Sequence, residues 1–158
     1  MKYFFILMMM VLPGYAIAAP DVKVSITAEK IVIVEENGKK VEQRIAASEV
    51  LPGDVLLYTL SYKNVGDEAA KDIKLNNPVS KDTAYVIDSA YGPGAKITFS
   101  VDGGKTFNEP SLLRYKVNVS GKAQERKASP EQYTDIRWAI AEVGVGKSGV
   151  AAFRVRVK

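Results

Sequence analysis

Cysteine and histidine are both absent from the 158 residues, and tryptophan occurs once. Without cysteine the chain has no disulfide, no thiol nucleophile, no lipid-modified anchor cysteine and no thiolate zinc site, so its stability must come from burial. The lack of histidine removes the commonest general base and metal ligand, and with it every Ser-His or Cys-His nucleophile pair. No lysine and serine share a recognised spacing with a nucleophile turn. A carboxylate pair for glycoside cleavage would need a cleft that a sandwich of about 140 residues rarely has. Blocks of like charge are also lacking: 22 basic and 18 acidic residues are dispersed along the chain, which argues against a nucleic-acid stripe.

The one long apolar run lies at the start. Lys2 precedes Tyr3 to Leu12, Pro13-Gly14 breaks the run, and Ala16-Ile17-Ala18 places alanine at both positions that a signal peptidase inspects. The run is about 10 residues, short of the ~20 that span a bilayer. Residues 1–18 therefore read as a cleavable signal peptide, cut before Ala19-Pro20, with Ala19 to Lys158 as the mature chain. Loss of Lys2 leaves 21 basic against 18 acidic residues, a net charge of +3. The expected location is the periplasm or the extracellular space, with no stable membrane insertion after cleavage. No sorting signal or hydrophobic tail follows, so residues 19–158 are expected to form a single module.

Period-two alternation dominates the mature chain, and no helical repeat is sustained. Val22, Val24, Ile26 and Ala28 alternate with Lys23, Ser25 and Thr27, predicting a half-buried first strand. Ile31 to Val34 leads into Asn37-Gly38, a pair suited to a two-residue hairpin turn because both positions need positive φ. Val41 to Ala46 is the return strand. From Val55 to Lys63, Leu56, Tyr58, Leu60 and Tyr62 form the expected core face. Ile73 and Leu75 mark another strand that Asn77-Pro78 ends. Further strands are expected over Ala84–Ile87, Ile97–Val101 with a return through Phe107, Leu112–Val119, Tyr133–Ile140 and the closing Ala151–Val157. Residues 120 to 132 read as the longest loop. Nine or ten short strands predict an all-β, two-sheet sandwich with an extra N-terminal β-hairpin.

The stretch Leu51-Pro52-Gly53-Asp54, then alternating Leu56, Tyr58, Leu60 and Tyr62, then Asn64-Val65-Gly66, Ala70, Ile73, Leu75 and Pro78, has a family pattern. So do Ile136-Arg137-Trp138 and Gly149 to Val157. Together these resemble the bacterial surface-protein repeat called domain of unknown function number eleven, over roughly residues 48–158. The resemblance implies an immunoglobulin-like sandwich at the cell envelope and no established activity. Asn77 stands where that family commonly has Asp, and Ser80 replaces a frequent second proline.

Each chemically suggestive feature also has a plain reading. Asp102 beside Gly103-Gly104 would suit a calcium loop, but lacks the EF-hand spacing and reads as a hairpin turn. Tyr85, Tyr91, Phe107, Tyr115, Tyr133 and Trp138 could include a sugar-stacking platform, although most lie within or beside strands and fit core packing. Lys122, Arg126 and Lys127 are diluted by Glu125 and read as a solvated loop, and Asn118-Val119-Ser120 matches a glycosylation acceptor by chance. No catalytic, cofactor-binding or metal-binding residue is assigned. The expectation is an exported, non-catalytic immunoglobulin-like module with a structural or protein-interaction role, its partner another envelope or surface protein. A small carbohydrate-binding module is the alternative.

Overall fold

A computed structural model describes residues 19–158; the signal-peptide reading of residues 1–18 lies outside them. Ten strands follow in order: β1 Val22–Glu36, β2 Lys39–Ala46, β3 Val55–Asn64, β4 Ala70–Pro78, β5 Thr83–Tyr85, β6 Lys96–Ser100, β7 Arg114–Val119, β8 Lys122–Lys127, β9 Asp135–Val143 and β10 Ser148–Val157. They form a five-stranded sheet, β2-β1-β3-β10-β5, a three-stranded sheet, β4-β9-β6, and a separate β7-β8 hairpin. Every strand pair is antiparallel. The chain is an all-β, immunoglobulin-like sandwich with an additional N-terminal hairpin.

The core lies where the two sheets face each other. Leu56, Leu60 and Tyr62 of β3 join Ala151, Phe153 and Val155 of β10 on one side, against Leu75, Phe99, Ile136, Trp138 and Ile140 on the other. Trp138 is wholly buried. Its ring packs 5.8 Å from Phe153, and its indole N–H donates to the Tyr91 carbonyl at 3.0 Å. Burial on that scale contributes several kcal/mol per large side chain, roughly 25 cal/mol for each Å² of apolar surface removed from water. Gly149 is part of this packing, because a Cβ there would fall on the Tyr62 ring.

Two turns next to the sandwich are built by conserving local backbone geometry through polar side chains. Asp54 accepts from the Leu51 N–H at 2.7 Å and pairs with Lys30 at 2.7 Å. Its carboxyl is held below the ordinary value first by Lys30 and then by the Leu51 amide. At the other end of β3, Asn64 is wholly buried. Its amide donates to the carbonyls of Glu68 (2.7 Å) and Val143 (2.9 Å), while its side-chain oxygen accepts from Gly66 N–H at 3.0 Å. One side chain thus joins the β3–β4 turn to the end of β9, in place of main-chain bonds that the turn cannot make.

Two expectations are corrected. Val24, Ile26 and Ala28 do share a face with the core, since they pair with Tyr62, Leu60 and Tyr58. They are nonetheless exposed, Val24 to 45% and Ile26 to 53%. Three strands cannot cover five at the spacing of about 4.8 Å between neighbours, so β1 overhangs the smaller sheet. Of the four apolar residues expected in the first strand, Val22 alone packs against the core.

Residues 120 to 132, expected as a loop, contain β8 and a short 3-10 turn at Pro130–Gln132. Ser120 (φ 52°) and Gly121 (φ 79°) make the same kind of two-residue turn as Asn37 (φ 51°) and Gly38 (φ 73°). All six β8 residues are exposed, so no apolar alternation marks the strand. The hairpin is rooted by buried Leu113 and Ala128, joined by a main-chain hydrogen bond of 3.0 Å.

Candidate functional site

The surfaces available for function follow from what the sandwich leaves uncovered. β1 and β2 continue together past Ile31↔Val55, the last β1–β3 pair, and from Val32 to Glu36 β1 has β2 as its sole strand neighbour among the described residues. All eight β2 residues are exposed, as is Ile33, to 60%. The hairpin is tied back through Arg154 on β10, whose guanidinium donates to both Glu42 carboxylate oxygens at 2.8 and 2.9 Å. This fork holds the Glu42 carboxyl below its ordinary value and raises Arg154. Leu57, cross-strand neighbour of Arg154 on the outer face, is 6% exposed although it faces away from the core. The outer-face burial of Leu57 and the fork were not legible in the sequence, because Glu42 and Arg154 are 112 residues apart.

Several open concavities of about 220 to 520 Å³ lie on the described residues, two of which bear on the surfaces above. One, of about 520 Å³, lies over the start of β1, the end of β3 and the start of β10, floored by Ser25, Ser61 and Gly149 and flanked by Lys23 and Lys63. The second, of about 320 Å³, lies between Tyr85, Phe99 and Tyr133 and the base of the β7-β8 hairpin. Those three rings are 4.8 to 5.7 Å apart. All three residues are buried, and burial pushes the Tyr85 and Tyr133 hydroxyls above their ordinary values. Their mutual packing is a core function.

The other sequence candidates have structural occupations. Asp102 Oδ1 accepts from Ser100 Oγ (2.7 Å), Thr106 N–H (3.0 Å) and Lys105 N–H (3.1 Å), and Oδ2 accepts from Thr106 Oγ1 (2.7 Å). The Thr106 hydroxyl first, then its amide and the Ser100 hydroxyl, hold the carboxyl well below the usual range. With Gly103 and Gly104 at positive φ, this is a turn whose carboxylate is already filled by its own loop. Among the described residues, no group of three or more Asp or Glu is placed to hold a metal ion.

Phe107 carries the Arg137 guanidinium 3.6 Å above its ring, and Tyr115 packs against the core. Tyr91, at 58%, is the one strongly exposed aromatic of the six, and a sugar-stacking platform is not assembled around it. Lys122, Arg126 and Lys127 lie along exposed β8 rather than in a loop, and Asn118 lies on β7. Asn77 is buried, its amide donating to the Pro78 carbonyl at 2.8 Å.

No family model, curated protein or solved structure matches the chain. The fold therefore stands on its own strand order and core, and the surfaces above are what a functional reading has to use.

Proposed function

We propose that this protein is an exported, non-catalytic immunoglobulin-like module that acts by protein–protein contact or as a structural part of a bacterial cell envelope. The observation that carries the reading is the β1-β2 hairpin, which continues past the last β1–β3 pair with every β2 residue exposed and is tied to β10 by Glu42–Arg154. A stiffly rooted, solvent-facing ladder suits recognition of another protein, since its contacts need little further ordering on binding. Asp54 and Asp102, two carboxylates that the sequence places at turns, are engaged there by main-chain N–H groups, which suits a module without chemistry of its own.

Export is supported by the leader sequence and by one contact. The Ala19 main-chain N–H donates to Asp67 Oδ1 at 2.6 Å. Cleavage after Ala18 would convert that group into an α-ammonium already facing a carboxylate. N-terminal sequencing of the recovered protein should begin at Ala19, and a chain beginning at Met1 or Lys2 would overturn export. For the contact itself, a photocrosslinking residue at Ile33 should capture a defined envelope protein in cells. Failure to capture any protein from Ile33, across conditions where the chain is expressed, would sink the interaction role.

A further inference from the structure

Most of the long sheet margins carry a device against strand addition. β2 presents Lys39, Lys40, Glu42 and Arg44 among its eight residues. β4 carries Lys71 and Lys74, a left-handed Asp72 (φ 52°) and a terminal Pro78. β10 is covered from Ala152 onward by the Tyr91 bridge, the Val86–Arg154 bond and β5. The outer margin of β6 is met by the Phe99–Asn108 bridge.

The exception is the first half of β1. β2 stops at Ala46, opposite Glu29, so among the described residues β1 has no outer strand neighbour from Val22 to Ala28. That stretch holds a single charge, Lys23. Asp21 C=O accepts from Val65 N–H on the β3 side at 2.7 Å, so the odd-numbered residues of β1 turn their main-chain groups toward β3. By the alternation of an antiparallel ladder, Val22, Val24, Ile26 and Ala28 turn theirs outward. On the core-side face the side chains of Val24, Ile26 and Ala28 form an uncovered apolar row, while Val22 packs against the core.

We propose that this margin is a self-association edge, at which a second copy of the chain adds antiparallel across Val22–Ala28 about a two-fold axis at Ser25, making one continuous sheet. This goes beyond the envelope-contact reading and does not depend on it. The open stretch is symmetric about Ser25: Val24 then lies opposite Ile26 of the second copy, and Val22 opposite its Ala28. All four are residues whose N–H and C=O point outward. Moving the axis to Ile26 brings Val22 and Lys23 of one copy onto the end of β2 of the other, whereas at Ser25 the residue that reaches Ala46 is Asp21, just ahead of the strand; moving it to Val24 sets Ala28 opposite Pro20, which has no N–H to offer.

Charge is balanced rather than paired throughout in this register: Asp21 falls opposite Glu29 of the second copy, an unfavourable pair that neighbouring cations offset. Lys23 faces Thr27 of the second copy and lies diagonal to its Glu29, within reach of a long side chain. Each end of the joint gathers Asp21 and Lys23 of one copy with Glu29 and Arg44 of the other, two of each sign, and the Lys23–Asp21 (3.0 Å) and Arg44–Glu29 (4.0 Å) pairs already exist within one copy. An edge this short buries less than the ~1,200 Å² of a stable interface. The association is therefore weak and concentration-dependent.

A Ser25→Cys substitution tests it cleanly, because the chain has no cysteine of its own. Across the axis Ser25 faces itself in a pair without mutual hydrogen bonds, where Cα atoms lie about 4.5 Å apart, a separation that a disulfide bridges. Mild oxidation should give a covalent dimer for Ser25→Cys and none for Lys40→Cys on β2. Sedimentation of the unmodified protein should show the dimer fraction growing with concentration. Adding Ile26→Pro, which removes an outward N–H and spares the β3 ladder, should abolish both signals. Should that variant misfold, Ile26→Lys serves the same purpose. A protein that stays monomeric at every concentration, a Ser25→Cys variant that crosslinks no faster than Lys40→Cys, or a foreign strand occupying the edge without self-association would each overturn the proposal.

Discussion

Two rows of the same sheet face present similar alternation and have opposite fates. On β3 and β10, Leu60, Ala151 and Phe153 are almost completely buried; on β1, Val24, Ile26 and Ala28 continue the same rows across the sheet and lie open to solvent. The difference is not in the residues. It comes from the second sheet, which covers β3 and β10 and ends before β1. Alternation therefore identifies which way a side chain points, while depth is set by what lies opposite.

The comparison can be broken most sharply at its covered side. Trp138→Ala should cost about 3–5 kcal/mol, because it opens a cavity beside Phe153 and removes the indole donor from the Tyr91 carbonyl, which keeps the Ala152 N–H. Chemical denaturation would measure it, and a loss no larger than at an exposed site would show that Trp138 is not the centre of the core. Next comes Asn64→Ala, which leaves the Val143 and Glu68 carbonyls without their donor. Its expected cost is about 1–3 kcal/mol, with faster amide exchange at the β3–β4 turn.

A smaller, pH-confined effect is expected at Asp102. Its folded carboxyl is depressed below the unfolded value, so its stabilising contribution is complete above the ordinary Asp range near 4 and drains away as pH falls below that range through the depressed value. Asp102→Asn should flatten the acid limb of an unfolding-versus-pH curve, and an unchanged limb would contradict the assignment. For the hairpin, Glu42→Gln should speed amide exchange in β2 while leaving the global unfolding midpoint close to that of the parent, since the fork anchors an exposed element. The smallest effect belongs to the uncovered row: Ile26→Ala in dilute protein should change stability by no more than ~0.5 kcal/mol. A loss of core size there would mean that β1 is covered in solution.

Much of the sandwich was legible because turns and alternation are local. Pro52-Gly53-Asp54, Asn37-Gly38 and the Leu56-to-Tyr62 row carry their reasons within a few residues, and the structure places them as that chemistry requires. β8 was not legible, because a strand exposed on every residue has no apolar period and is specified by its Ser120-Gly121 turn and its partner β7. Nor were the site-forming contacts. Glu42–Arg154, Arg137–Phe107 and the open edge of β1 each depend on segments that meet only after the sheets have formed.

The sequence by itself determined an all-β chain, most of the turns that divide it, the inward face of the strands that carry an apolar period and the absence of thiol and imidazole chemistry. These follow from backbone sterics and side-chain type, which act over a few residues. Tertiary structure alone decided how far the second sheet reaches, and with it which apolar rows are buried and which remain open. Burial depends on the other layer, and the sequence of a strand does not record where that layer ends.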